Sequence, residues 1–363
     1  VSRSHKIALL PGDFIGPEVM DASVAALEAL APAAGLKFEW VTLPFGGNAI
    51  DSHGHPLPDI TKEGLLGCEA VLMGSAGGPV GDHPWNRLPR ELRVESGILG
   101  LRKHLGVYAN LRPVTVFAGL EHLSPLKPEI AGGTDMLIVR ELTGGIYFGK
   151  PSSVDHERGV STDVYERHEV ERIARTAFEA ARLRSGRVTS VDKANVLDVS
   201  QFWRNVVIDV HQREFSDVSL DHLYVDNAAM QLVRSPRDFD VIVTANLFGD
   251  ILSDLAAVLP GSLGVLPSAS LGGSIGLYEP VHGSAPDIAG KGLANPTGTM
   301  LSAAMLLRFA LNAGAAAEAL EGAVRVALAE NPTRDLGGSR STTEFTTAVI
   351  SALPAALEAA NHL

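Results

Sequence analysis

The sequence predicts an α/β protein organised in two domains, and three observations carry that prediction. Short apolar runs alternate with amphipathic stretches from one end of the chain to the other, the pattern of strands alternating with helices. Several of the runs are apolar at every position, as strands covered on both faces are. The length of 363 residues, 45% of them hydrophobic and 20% charged, suffices for two cores of ordinary size and excludes a disordered chain.

In chain order, strands are expected at residues 6–10, 38–43, 70–73, 136–139, 188–191, 222–225 and 241–244. After Asp163, the residues Val170, Ile173, Ala174, Ala177, Phe178 and Ala181 recur with helical period, opposite Glu and Arg. That helix is expected to end near Gly186. The Ala-rich run 313–330 reads as another helix, stopped by Asn331-Pro332. The uncharged stretch 255–278 is broken by Pro260 and Pro267, so it reads as loop and short structure and not as a membrane span. No low-complexity linker marks a domain boundary, and a middle domain inserted between halves of another is invisible to composition.

The net charge of −12 argues against a nucleic-acid binder but leaves room for a local arginine cluster around an anionic substrate. Cys68 is the only cysteine, which fits a reducing compartment. The apolar run at 7–10 is too short for a signal peptide, so the expectation is a cytoplasmic protein with no membrane partner. Glycine-rich turns follow two predicted strands, at 11–18 and 74–79. Their N–H groups suit a phosphate, but plain tight turns fit equally well, and neither has the G-x-G-x-x-G spacing of a Rossmann fingerprint.

Charged residues stand at or just beyond the carboxyl ends of four predicted strands: Arg140, then Asp192 with Lys193, then Asp226, and Asp250 after a short turn. Open α/β sheets place their sites at such ends, so a shared site is expected. Asp250 and Asp254, at i and i+4, would share a helical face where a hard divalent ion, Mg²⁺ or Mn²⁺, relieves their repulsion. Asp226 could be a third ligand. The competing reading is a helix start that Asp250 caps while Asp254 is solvated. Glu95, Ile98, Leu99 and Arg102 fall on one helical face, apolar in the middle and charged at both ends. This is either a core stripe with snorkelling ends or a pocket wall that grips a carboxylate and an aliphatic group, with Arg112 and Arg140 completing an anion cage. Tyr147, bracketed by glycines, and Lys193 offer an acid/base pair whose pKa values a nearby cation could tune downward. His53 and His55 lack a third metal ligand, and Ser75, Ser253 and Ser284 lack a nucleophile elbow.

At this point the motifs Gly12-Asp13-Phe14-Ile15-Gly16-Pro17-Glu18-Val19, 95–102, Asn110-Leu111-Arg112-Pro113, 139–149, 190–197, 224–230, 248–255 and 279–290 can be read together. Nearly end to end, the chain resembles the β-decarboxylating dehydrogenases. The resemblance implies the two-domain, non-Rossmann isocitrate/isopropylmalate dehydrogenase-like fold with a discontinuous first domain. Residues 1–107 and 261–363 would form an NAD-binding domain, and 108–260 a substrate, metal and dimerisation domain. It implies a homodimer whose active sites take residues from both subunits and which oxidises and decarboxylates a small 2-hydroxy diacid. Arg102, Arg112 and Arg140 would bind the malate carboxylates, with Glu95, Ile98 and Leu99 beside them. Asp226, Asp250 and Asp254 would bind Mg²⁺ or Mn²⁺, Asp226 and Lys193 coming from the partner chain. Lys193 would be the base and Tyr147 the acid. Glu279, His282, Gly283, Ser284, Ala285, Asp287 and Asn295 would line the NAD site, Asp287 selecting NAD over NADP at the ribose hydroxyls.

The apolar Ile98–Leu99 pair suits an isopropyl substituent, where isocitrate-directed relatives carry polar residues. The other expectations weighed are a relative acting on D-malate, tartrate or homoisocitrate, and a non-catalytic regulatory subunit. The last usually lacks one of the five groups Lys193, Tyr147, Asp226, Asp250 and Asp254, all of which stand here. Two positions depart from the family pattern: Phe14 and Ala245 each replace a usual glycine. Ala245 is a mild change if its φ is negative.

Overall fold

The computed structural model describes residues 4–79 and 81–362. It divides into two compact units, Val1–Val107 with Ser262–Leu363, and Tyr108–Gly261. The first unit opens with β1 (Ser4–Gly12), α1 (Gly16–Leu30), β2 (Lys37–Thr42), α2 (Gly47–His53), α3 (Asp59–Gly64), β3 (Ala70–Ser75) and α4 (Val94–Leu105). The second holds β4 (Ala109–Thr115), α5 (Pro128–Ala131), β5 (Asp135–Glu141), β6 (Ser153–Val154), β7 (Gly159–Val160) and α6 (Arg167–Arg182). It continues with β8 (Arg187–Asp192), α7 (Asp198–Glu214), β9 (Ser219–Tyr224), α8 (Val225–Arg234), β10 (Val241–Thr244) and α9 (Asn246–Ala256). The first unit resumes with β11 (Pro267–Leu271), β12 (Gly276–Pro280), α10 (Thr297–Phe309), α11 (Gly314–Glu330) and α12 (Thr342–Ala360).

In the first unit the strands lie in the order β2-β1-β3-β12-β11. β1 pairs in parallel with β2 and β3, β3 with β12, and β11 closes antiparallel on β12. The core includes Ile7, Ala8 and Leu10 of β1, Val71 and Leu72 of β3, and α10, which is buried along nearly all of its length. In the second unit the order is β4-β5-β10-β8-β9, parallel except for the β4–β5 pair. Its core gathers Ile138, Val139, Phe178, Val191 and Trp203. Among the described residues, no helix is long and apolar enough to cross a membrane.

Each strand expected from the sequence is present. The helix after Asp163 starts at Arg167 under a Glu166–Glu169 capping box and ends at Arg182, with Gly186 at φ 76° just beyond. Five strands had no expectation: the two-residue pair β6 and β7, and β4, β11 and β12. β4 contains Pro113 and pairs antiparallel with β5, where Pro113 stands opposite Leu137. β11 and β12 lie within or at the end of the stretch read as loop, because their residues are apolar but interrupted by glycine and serine.

The turn after β1 is interlocked with the one after β3. Gly12 has φ 75°, and a Cβ there would meet the Ser75 carbonyl oxygen at 1.9 Å, so only glycine fits. Asp13, fully buried, accepts the backbone N–H groups of Gly47 (2.9 Å), Asn48 (2.8 Å) and Gly77 (2.9 Å). Burial raises its pKa and those three bonds oppose the rise. The donor of the second glycine-rich turn at Gly77 is thus committed to an internal carboxylate and not presented to a phosphate.

Candidate active site

β5 ends in Arg140, whose side chain is buried against α9. The approach depends on Gly249, where a Cβ would meet Arg140 Cγ at 2.5 Å. Asn246, buried at the start of α9, accepts from Arg140 Nε (3.2 Å) and Nη2 (2.8 Å). Its own amide donates to the carbonyls of Leu142 (3.0 Å) and Gly144 (3.1 Å). Arg140 Nη1 donates to Asp250 Oδ1, and the Tyr147 hydroxyl donates to Asp250 Oδ2 at 2.8 Å. Arg112 on β4 donates to Ser253 Oγ (2.8 Å), Asp254 Oδ1 (3.1 Å) and Asn110 Oδ1 (2.8 Å).

Asp250 is not a helix cap: α9 begins at Asn246, with Ala245 at its N-cap and no side-chain cap bond. The two carboxylates lie one turn apart, each against an arginine, and present only oxygen donors, the set that hard divalent ions take. Lys193, after β8, donates to Asp226 Oδ1 at 2.6 Å, and this contact holds the Asp226 carboxyl below the usual carboxylate range. Within one chain, therefore, Asp226 does not join Asp250 and Asp254. Among the described residues, no three His, Cys, Asp or Glu side chains are gathered around a metal position.

Within the chain itself, without a bound cation, the Tyr147 hydroxyl has its pKa raised. Burial pushes it up, and the hydrogen bond to Asp250 and its negative charge push the same way, outweighing Arg140. Ala245 has φ −64°, where alanine is at ease, whereas Phe14 has φ 52°, in the left-handed region. Its ring lies 5.8 Å from that of Trp85.

In the first unit, α4 buries Val94, Gly97, Leu101 and Leu105; Ile98, at i+4 from Val94, flanks that stripe half-buried, and Leu99 lies half-buried farther round the helix. Glu95 is exposed. Arg102 reaches Glu279 Oε1 at 3.2 Å, while its Nε is buried with no partner. His282 Nδ1 donates to the Gly283 carbonyl at 2.9 Å. Its Nε2 is buried and unpartnered, and burial lowers its pKa, favouring the neutral ring. Ser284 and Asn295 are committed internally. Ser284 Oγ donates to the Gly77 carbonyl (2.9 Å), and the Asn295 amide bonds Asp335 (3.0 Å) and the Thr297 N–H (3.0 Å). Ala285 adopts φ 40°, and Gly283 and Asp287 are exposed.

Asn246 organises Arg140 and was not singled out in the sequence, although it sits in the turn between β10 and the aspartate pair. Asp192 was singled out, but the structure removes it from any open site. It is 2% exposed and bonded to Arg204.

An α/β chain that sets buried arginines against exposed carboxylates at strand and helix ends is of the class of enzymes that act on small anionic molecules. Comparison with known proteins narrows this. The isocitrate/isopropylmalate dehydrogenase family model matches residues 6–349. A 3-isopropylmalate dehydrogenase of Deinococcus radiodurans is 55% identical over 348 residues, covering 96% of this chain and 97% of that one. One of Salinibacter ruber is 58% identical over 327 residues, covering 90% and 88%. The crystal structure of isocitrate dehydrogenase from Methylococcus capsulatus superimposes with a TM-score of 0.83 at 36% identity, covering 96% and 99%. The chain belongs to the isocitrate/isopropylmalate dehydrogenase family, and it is an oxidoreductase.

Proposed function

We propose that the chain catalyses the NAD-dependent oxidative decarboxylation of (2R,3S)-3-isopropylmalate to 4-methyl-2-oxopentanoate and CO₂, a step of leucine biosynthesis, as a cytoplasmic homodimer. The observation that carries this reading is the half-buried Ile98–Leu99 pair beside Arg102, in a chain 55% identical over 348 residues to a relative named for that activity. An isopropyl group meets two aliphatic side chains there.

Arg102, Arg112 and Arg140 bind the two carboxylates of the malate. Lys193 of a second copy, beside its Asp226, takes the proton of the 2-hydroxyl as the hydride leaves C2. CO₂ is then lost from C3, and Tyr147 returns a proton to that carbon. A tyrosine hydroxyl keeps its proton at neutral pH, the state a donor needs. Asp250 and Asp254 would hold Mg²⁺ or Mn²⁺, with Asp226 of a second copy completing the oxygen set. His282, Gly283, Ala285 and Asp287 line the NAD site, with Glu279 beside Arg102. Ser284 and Asn295, whose side chains bond internally, shape its walls. When bound, NAD accepts the hydride and the divalent ion polarises the oxygen being oxidised and stabilises the enolate charge.

Two features support the fit of these groups: the orphaned Nε2 of His282, and the oxygen-only pair on α9. Dimerisation is supported by the apolar side chains that α8 and α9 leave exposed, Met230 (61%), Val233 (42%) and Ile251 (56%). The test is NADH formation with Mg²⁺ against 3-isopropylmalate, isocitrate, homoisocitrate and D-malate. The highest kcat/KM is expected with 3-isopropylmalate, and a preference for D-malate overturns the substrate assignment.

A further inference from the structure

Asp192 and Arg204 take no part in the chemistry above, yet they frame the lysine it depends on. Asp192 ends β8, and its Oδ1 accepts the Ala194 N–H at 2.9 Å, folding the chain around Lys193. Arg204, in the second turn of α7, closes on the same carboxylate with both edges of its fork: Nε to Oδ2 and Nη2 to Oδ1, each 2.8 Å. That guanidinium also lies over the Tyr224 ring, its Cζ 5.0 Å from the centroid. Tyr224 is the N-cap residue of α8, and Asp226 stands in the first turn of that helix. One planar cation therefore contacts both segments that present the Lys193–Asp226 pair.

We propose that Arg204 and Asp192 are positioning residues that hold Lys193 and Asp226 in their reactive arrangement, an inference that rests on the function proposed above. A buried ion pair serving stability alone would need no bond to the turn that carries the lysine. Here one Asp192 oxygen is shared between the fork and that turn, so losing the fork loosens the turn. Lysine cannot substitute for Arg204, since an ammonium neither spans both oxygens nor offers a plane to Tyr224.

The experiment compares wild type with Arg204→Lys and with the double variant Asp192→Asn/Arg204→Gln, which leaves no uncompensated buried charge if Arg204→Lys fails to fold. Folding is checked by circular dichroism. Three quantities are read: kcat, the KM for NAD, and the rate at which an amine-reactive reagent labels Lys193 relative to the other lysines, by peptide mass spectrometry. In either folded variant kcat is expected to fall about 10- to 100-fold, the usual effect of removing an orienting partner. The KM for NAD should stay within about 2-fold, as it does when binding is untouched. Labelling of Lys193 alone should change. Unchanged kcat and labelling in a folded variant overturn the proposal. So does a loss of kcat accompanied by altered labelling of all the lysines, the signature of general loosening. Should the wild type turn over none of the four acids, the functional reading fails, and the Lys193 labelling ratio decides the positioning inference by itself.

Discussion

Asp192 is the last residue of β8 and Asp250 lies in α9, which follows the neighbouring parallel strand β10; in the sequence both read as carboxylates at strand ends. Their surroundings separate them. Asp192 is 2% exposed and its oxygens are met by Arg204 and a backbone N–H. The Asp250 side chain is 36% exposed and faces Arg140, Tyr147 and, one turn on, a second carboxylate. The difference teaches that a strand-end carboxylate becomes a site when it is left open beside a like charge, and a brace when a buried fork closes on it.

Substitutions should split the two regions. Lys193→Met should have the largest effect, lowering the hydride-transfer rate by about 10²- to 10⁴-fold, the contribution of a general base. NAD binding, measured by fluorescence titration, should persist, and retained turnover would refute its role as base. Asp250→Asn should lower activity about 100-fold and weaken Mg²⁺ activation, consistent with losing one charged ligand. It should cost at most about 1 kcal/mol in urea unfolding, because Asn246 still accepts from Arg140. Asp192→Ala should do the reverse in the stability assay. It strands a largely buried guanidinium and should cost about 3 kcal/mol, the lower end of the range for a broken buried pair. Equal stability losses in the two variants would erase the distinction.

Much of this site was legible because its signals are local. The i, i+4 spacing of Asp250 and Asp254 and the face formed by Glu95, Ile98, Leu99 and Arg102 are properties of single helices, and both helices formed. The family motifs marked Lys193, Tyr147 and the arginines as candidates. What could not be read depends on partners far away in the chain. β4 carries a proline and is a strand only because β5 pairs with it. Whether Asp192 braces or reacts is decided by Arg204 on the following helix. Burial raises the Tyr147 pKa, and Asp250, 103 residues on, adds to the rise.

Phe14 and Ala245, the two positions where the resemblance led to an expectation of glycine, make the finest comparison. Phe14 sits at φ 52° and Ala245 at φ −64°, so the same glycine-to-larger change meets opposite backbones. In the left-handed region a Cβ costs about 1–2 kcal/mol. At Phe14 this is offset by contact with Trp85, since an aromatic pair contributes about 0.5–1.5 kcal/mol. Phe14→Gly relieves the backbone but loses the ring and gains unfolded-state entropy, so it should be neutral to within about 1 kcal/mol. Phe14→Ala keeps the backbone cost and loses the ring, and should be less stable than Phe14→Gly by about 1 kcal/mol. At position 245 the order must reverse: Ala245→Gly should be less stable than the parent by about 0.5–1 kcal/mol, because only the unfolded chain benefits from glycine there. Chemical unfolding of these three variants checks the crossing. Glycine preferred at both positions, or alanine at both, would mean that the backbone angles do not govern these two turns.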